Sequence, residues 1–484
     1  MHTLEDDLAV QQRLSLLGRF SEAEAHARQL IALAPEQAMA YNNLGFALQM
    51  QGDLRAAATA YSRAVQLDPS LRTTRRNLAS IFAQLGEREQ SFALCHAELR
   101  TGEGLRWMNH TISTAMKARD LSYAGELAAI STALRLGSDW YPRYGDTSLQ
   151  PFPVRAPERR ISISKLRHDI QQFEYLQSQG VFGDELTPII AEYRNVIDRL
   201  SPLDEHTKVN LEGENLRAIG QVFNRIIHVR HTPRLARALS NAWDPAKVQE
   251  DYLAHPQGVV VVDEFLSREA LHELRAFCLE STIWSLNRYA HGRLGSLFHD
   301  GFNCPLLLQI AEELRAAMPR VIGDQYSLSQ LWGFKNAPDQ PGGTTTHADF
   351  AAVNVNFWIT PDDANLDASC GGLVIYDIEA PLHWDFHTYN GRSDVIEPFL
   401  KSKHASAVTI PYRQNRAVIF NSDLFHATDT VKFRQGYENR RINVTALYGE
   451  REEDHRHVAC REPSPRPGAA AWRSAAFARA RQAR

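Results

Sequence analysis

Four side chains in the C-terminal half of the chain have the types and the order that metal chemistry needs. In PGGTTTHADFAAVNVNFWIT, His347 and Asp349 stand two residues apart. In an extended segment, positions i and i+2 project to the same side, so this imidazole and this carboxylate can meet one cation. A His-x-Asp pair alone is weak. His426, in AVIFNSDLFHATDT directly after a strand-like run, supplies a third donor. Two neutral imidazoles and one carboxylate on one face of a metal, with other positions open, form the donor set suited to non-haem Fe(II). Arg441 follows fifteen residues after His426, in NRRINVTALYG. Its planar fork can hold a carboxylate through two parallel charge-assisted hydrogen bonds. On the expected strand Arg441, Asn443 and Thr445 share a face, and alternation turns Arg440 the other way.

These residues need a rigid β scaffold. From residue 257 the pattern shifts to β-branched runs. GVVVVDEFLS leads into the helix REALHELRAFCLES. Beyond about residue 325 come SQLWGF, AVNVNFWI, GGLVIYD, SAVTIPY, AVIFNSD and INVTALYG, separated by Gly, Pro, Asn and Asp. Many short strands without interleaved long helices predict an antiparallel jelly roll. His383, His387 and His404 lie in an expected insertion between strands, a place for a lid or substrate loop rather than for metal ligands. Cys370 precedes a Gly371-Gly372 turn, and Cys278 and Cys304 read as core.

The N-terminal part repeats. Gly18, Gly52 and Gly86 are spaced by 34 residues. The middle unit carries Tyr41, Leu44, Gly45, Leu48, Ala57, Tyr61, Ala64 and Pro69, and Pro35 stands one period before Pro69. Each unit reads as two amphipathic helices, with small residues allowing close approach and Gly closing the turn. This pattern resembles the tetratricopeptide repeat, with units at 4–37, 38–71 and 72–105. LSYAGELAAISTALRLG would cap the stack. The resemblance implies a concave surface that binds a peptide or protein.

Residues 143–160 collect prolines without apolar periodicity and predict a linker. Helical spacing resumes in ISISKLRHDIQQFEYLQSQG, with Leu166, Ile170, Phe173 and Leu176 on one face, and again from Ile189 to Leu200. His168 and Asp169 are neighbours on a helix, pointing apart, and are given a structural or surface role. The expected organisation is a multidomain α+β chain. A helical-repeat solenoid spans 1–140, a linker and helical middle region 141–245, a β domain 246–452 and an Ala/Arg-rich tail 453–484.

The β domain resembles the 2-oxoglutarate/Fe(II)-dependent dioxygenases of the prolyl-hydroxylase-like branch. HADF looks like the family's HxD motif, His426 like its distal histidine, and RIN stands where R-x-S is usual. The resemblance implies a double-stranded β-helix, Fe(II) on His347, Asp349 and His426, O2 as oxidant, and 2-oxoglutarate anchored by Arg441. Asn443, Asn356 and Trp358 are implied as further cosubstrate contacts. It also implies hydroxylation of an amino-acid side chain of a peptide or protein held with help of the repeats. Asp349 stands against halogenation, which needs a small residue there. The competing class is a repeat scaffold with an inactive oxygenase-like domain, which would show a broken ligand set. A cupin-like isomerase leaves Arg441 without a purpose.

Composition narrows the classes further. Lys+Arg 53 against Asp+Glu 57 leaves a net charge of -4, so no global field favours nucleic acid or an anionic membrane. Five widely spaced cysteines without a CxxC pair indicate neither a disulfide framework nor a cysteine zinc site and fit a reducing compartment. Without an apolar leader or span, a cytoplasmic protein is expected. Its oligomeric state is not written in the residues.

Overall fold

The structure is a computed structural model describing residues 4–87, 89–91, 93–94, 102–137, 159–341 and 346–451. It divides into two units, Met1–Leu127 and Ala128–Arg484. No helix among the described residues is long and apolar enough to cross a membrane.

Glycine sets the turns of the first unit. Its helices are α1 Leu4–Leu16, α2 Phe20–Leu33, α3 Ala38–Met50, α4 Leu54–Leu67, α5 Arg72–Gln84 and α6 Gly102–Lys117, and α7 Leu121–Leu136 begins in it. Gly18, Gly52 and Gly86 have φ of 70°, 86° and 75°. At each, the following residue donates its N–H back across the helix end: Arg19 to Leu14, Asp53 to Leu48, Glu87 to Phe82. This is the Schellman closure, and a side chain at the left-handed position would be strained. Asp53 then caps α4 by accepting from Ala56 N at 3.0 Å. Between α3 and α4, Gly45 leaves room for the fully buried Tyr61 ring. The pairs at 4–33 and 38–67 thus match the expected repeat. The third, expected over 72–105, is described through α5 but lies partly outside the described residues.

In the second unit, α8 Ile163–Ser178 and α9 Thr187–Leu200 bury Leu166, Ile170, Phe173, Leu176, Ile190, Tyr193, Val196 and Leu200 in one cluster. His168 and Asp169 differ from expectation: they face each other, with Nδ1 2.9 Å from Oδ1, and both are buried. Lys165 donates to both Asp169 oxygens at 2.6 and 2.7 Å, so the trio is an internal polar joint. The expected linker at 143–160, apart from Arg159 and Arg160, and the tail at 453–484 lie outside the described residues.

The elements that frame the site are β1 Val259–Val262, α10 Arg268–Glu280, β2 Leu294–Leu297, α11 Pro305–Ala317, β3 Leu328–Lys335, β4 Val353–Trp358, β5 Leu373–Glu379, α12 Phe386–Gly391, α13 Ser393–Ser402, β6 Ala407–Ile410, β7 Ala417–Asn421, β8 Leu424–Thr428 and β9 Ile442–Tyr448. A six-stranded antiparallel sheet has the order β1-β7-β4-β9-β3-β2, and a three-stranded one β8-β5-β6. Trp358, Val418 and Phe420 of the large sheet share a core with Leu373, Ile375, Val408, Ile410 and Leu424 of the small one. The arrangement is consistent with a jelly roll. Strand β4 is buried along its whole length, because its other face is covered as well: Phe357 packs 5.2 Å from Phe265. Its polar residues Asn354 and Asn356 therefore sit inside the protein. The expected insertion folds into α12 and α13. Tyr389, Ile396 and Leu400 bury against Ala348 and Phe425, so this segment buttresses the chain on both sides of the ligand candidates.

Two outcomes follow from this packing. A Cβ on Gly45 would lie 2.7 Å from the Tyr61 ring, so Gly45→Ala should lower unfolding stability by about 1–3 kcal/mol, read from the urea midpoint of the first transition. At the end of β1, Asp263 accepts from Arg416 at 2.6 and 2.9 Å and from Arg413 at 3.0 Å. Burial pushes its carboxyl up, but the Arg416 bond and charge, with Arg413, hold it below the ordinary 3.8. The stabilisation is therefore full above that ordinary value and is lost as pH falls through the lower folded value. Asp263→Asn should flatten the acid limb of the stability profile, and an unchanged limb would contradict this pairing.

Candidate metal and carboxylate site

One pair of backbone hydrogen bonds builds the site. His347 N donates to His426 O at 3.0 Å and His426 N to His347 O at 2.8 Å. Next along the chain, Asp349 N donates to Ser422 O at 3.1 Å. The loop entering β4 is thereby stitched to the turn joining β7 and β8. His426 lies within β8, opposite Ile375, rather than after a strand as expected; residues 422–423 make the turn. The short segment LFHAT reads as the tail of β7 in sequence because only that turn separates the two strands.

The three side chains converge. One ligand atom from each of His347, Asp349 and His426 lies within 4.8 Å of the others. His347 Nε2 is 3.8 Å from Asp349 Oδ1, and His426 Nε2 is 3.4 Å from Asp349 Oδ2. The two imidazole rings are 4.5 Å apart, tilted by 49°. His426 Nδ1 sits 2.9 Å from Leu424 O, a contact that turns Nε2 towards the other two groups. Asp349 is 2% exposed. Burial alone would raise its carboxyl, but the hydrogen bond and charge of His426, with the charges of His347 and Arg293, hold it below the ordinary range. It is an anion in a buried place, as a metal ligand has to be.

Sequence reasoning missed the groups that orient this carboxylate. Asn354 Nδ2 donates to Asp349 Oδ2 at 2.7 Å. Asn390, on α12, donates to Ala348 O at 2.9 Å and stands 3.5 Å from Asp349 Oδ1. Strand alternation gives Asn354 the same side as Asn356 and Trp358; nothing in the sequence ties Asn390 to this place.

Arg441, immediately before β9, is 1% exposed. Its Nε donates to Gly371 O at 2.6 Å, Nη2 to Gly372 O at 3.2 Å and Nη1 to Asn443 Oδ1 at 3.1 Å. Among the described residues no carboxylate pairs with it. Burial pushes the guanidinium down to about 9, opposed by Tyr412, so it remains a cation at neutral pH held without a counter-ion. A buried unpaired charge is costly, and an incoming anion would relieve that cost. The expected neighbours take separate parts. Asn443 holds Arg441 itself. Asn356 Nδ2 donates to Thr445 Oγ1 at 2.9 Å, leaving its buried Oδ1 without a partner. Trp358 is fully buried, its ring centre 5.6 Å from the guanidinium and its indole N–H unused. Arg440 turns away and donates to Gln171 at 3.0 Å, as strand alternation requires. His383, His387 and His404 are absent from the ligand cluster.

Residues 38–71 match the model of the tetratricopeptide repeat family. Three solved structures are similar to parts of the chain. The non-haem alpha ketoglutarate dependent carbocyclase SnoK from nogalamycin biosynthesis is 13% identical, with 49% of this chain and 96% of that one covered at a TM-score of 0.32. A Pseudomonas putida prolyl-4-hydroxylase is 16% identical, covering 43% and 99% at 0.28. The epimerase SnoN in complex with Fe3+ and alpha ketoglutarate is 14% identical, covering 43% and 83% at 0.28. Such distant likeness leaves the chemistry to the side chains of the site.

The Gly371–Gly372 carbonyls make a sensitive support. A Cβ on Gly372 would lie 1.8 Å from Ile410 O. Gly372→Ala should part β5 from β6 and lower unfolding stability by at least about 1–3 kcal/mol in urea titration, whereas a neutral effect would show that this close strand approach is dispensable.

Proposed function

We propose that the chain is a 2-oxoglutarate- and Fe(II)-dependent dioxygenase that hydroxylates an amino-acid side chain of a peptide or protein. In this reading the repeats at 1–140 help to hold the polypeptide, 141–245 connects, the double-stranded β-helix at 246–452 carries the chemistry and 453–484 is a tail. His347, Asp349 and His426 would hold Fe(II), and Arg441 would take the distal carboxylate of 2-oxoglutarate. The observation that carries the reading is the pairing of a convergent His-Asp-His set with a buried guanidinium that lacks a counter-ion.

The residues present fit both groups. Two imidazoles and one anionic carboxylate match the facial set, with one side left for exogenous ligands. The unused Trp358 N–H offers a further donor beside Arg441. With O2, the bound iron and 2-oxoglutarate would supply oxidising power through decarboxylation to succinate and carbon dioxide. The chain's own part is positional. Asn354 and Asn390 keep Asp349 turned towards the histidines, the Leu424 carbonyl orients the His426 ring, and the Gly371 and Gly372 carbonyls with Asn443 aim the Arg441 fork. Trp358 and Tyr412 wall off the guanidinium from water, which strengthens its attraction for a carboxylate.

The test is anaerobic titration with Fe(II) and 2-oxoglutarate, then admission of air and measurement of succinate. Wild type should bind both and release succinate. His347→Ala should lose metal and turnover. Arg441→Gln should keep metal but weaken 2-oxoglutarate at least tenfold, the size expected for removing one member of a buried charge pair, roughly 2–5 kcal/mol. Failure of wild type to bind either would turn the reading to a repeat scaffold.

A further inference from the structure

A second cation, stacked on rings of the same sheet, is given no ligand in the scheme above. Arg293 immediately precedes β2, is half-buried, and lies with its guanidinium carbon 3.7 Å from the centre of the Phe334 ring and 5.4 Å from that of Tyr289. Its Nε is buried without a hydrogen-bond partner, and among the described residues no carboxylate pairs with it. The position is built. Gly295 stands opposite Phe334 in the β2–β3 register, and a Cβ there would lie 3.0 Å from Tyr289 and 3.1 Å from Phe334, so the two rings under the guanidinium pack tightly against this glycine. Phe334 in turn pairs with Asn443, the residue that holds Arg441. Through Phe334, the register of β2, β3 and β9 places Arg293 beside the strand that carries Asn443.

From this cation a row of rings leads past the ligand candidates to the surface. Tyr289 to Phe334 is 5.1 Å, Phe334 to Trp332 6.1 Å, Trp332 to Phe350 6.2 Å and Phe350 to Phe386 6.1 Å. Phe350 directly follows Asp349, and Phe386 is 53% exposed. A guanidinium stacked on aromatic faces keeps its planar edge of N–H donors free for an anion, and the stacking limits the motion that anion binding would have to freeze.

We infer that Arg293 and this aromatic row recognise the primary substrate, and that the substrate carries a carboxylate beside an apolar group. The carboxylate meets the edge of Arg293 and the apolar group lies along Phe334, Trp332 and Phe350. This rests on the oxygenase reading and narrows its substrate to acidic residues or chain ends flanked by an apolar side chain. A chain-terminal carboxylate and an acidic side chain share this chemistry. Neutral or basic targets do not supply it.

The test uses the full chain with Mn(II) and saturating 2-oxoglutarate, without O2, and three probes followed by ligand-observed NMR. N-acetylphenylalanine carries a terminal carboxylate, N-acetyl-aspartyl-phenylalanine amide a side-chain carboxylate, and N-acetylphenylalanine amide none. At least one acidic probe should bind tenfold or more tightly than the carboxylate-free one, with its ring signals broadened by Mn(II), and the tighter of the two identifies the source of the carboxylate. Arg293→Gln should erase that preference while the 2-oxoglutarate Kd moves less than twofold. Arg293→Lys, which keeps the charge and loses the fork, should retain part of it, and both variants should melt as wild type does. Equal binding of all probes, a preference that survives Arg293→Gln, or weakening of 2-oxoglutarate as large as that from Arg441→Gln would each overturn the inference. Loss of metal or 2-oxoglutarate binding in wild type, with an Arg293-dependent carboxylate preference intact, would overturn the oxygenase reading and leave this site standing.

Discussion

The reciprocal backbone hydrogen bonds between His347 and His426 are the constraint on which the rest of the site depends. They join segments distant in sequence, one entering a strand of the large sheet and the other within a strand of the small one. Two imidazoles held by paired backbones need little further ordering to meet one ion, and a rigid first contact is what metal affinity and geometry require. Asp349 completes the set because its own N–H is tied to Ser422 at the same seam.

Around that seam the fold keeps polar groups where strands usually place apolar ones. Asn354 and Asn356 occupy the inner face of a strand buried on both sides, and Arg441, Asn443 and Thr445 line the neighbouring strand. Buried polar groups persist only when they are hydrogen-bonded, and here most of the bonds run between them. The exceptions are informative. Among the described residues, Asn356 Oδ1, the Trp358 N–H and the Arg293 Nε have no partner, and no carboxylate pairs with Arg441. Polar groups left unpartnered beside a buried cation are places where a polar ligand could bind.

The two units solve different problems with small residues. In the repeats, glycine recurs because each helix end needs one left-handed residue, and Gly45 because a ring must pass close to a backbone. In the sheets, Gly372 and Gly295 recur at strand contacts next to functional side chains, where a methyl group would displace a carbonyl or a ring. The first kind is periodic and visible in the sequence. The second has no period and reads as an ordinary turn or strand residue.

Much of the architecture was written locally. The 34-residue glycine period announced the helical pairs, the change from helical to β-branched spacing announced the sheets, and His347, Asp349 and Arg441 were readable from strand alternation, with His426 from its residue type and its place beside a strand-like run. What alternation cannot give is partnership across the fold. That His426 sits on a strand of its own, that the insertion folds into helices whose Asn390 reaches Asp349, that Asn443 serves Arg441, and that Arg293 lies on the Phe334 ring of β3 are all consequences of strand order and register. Sequence determines which groups are available and which way each faces; the non-local pairing of strands decides which of them meet, because those contacts are set by the packing of two sheets and not by neighbours along the chain.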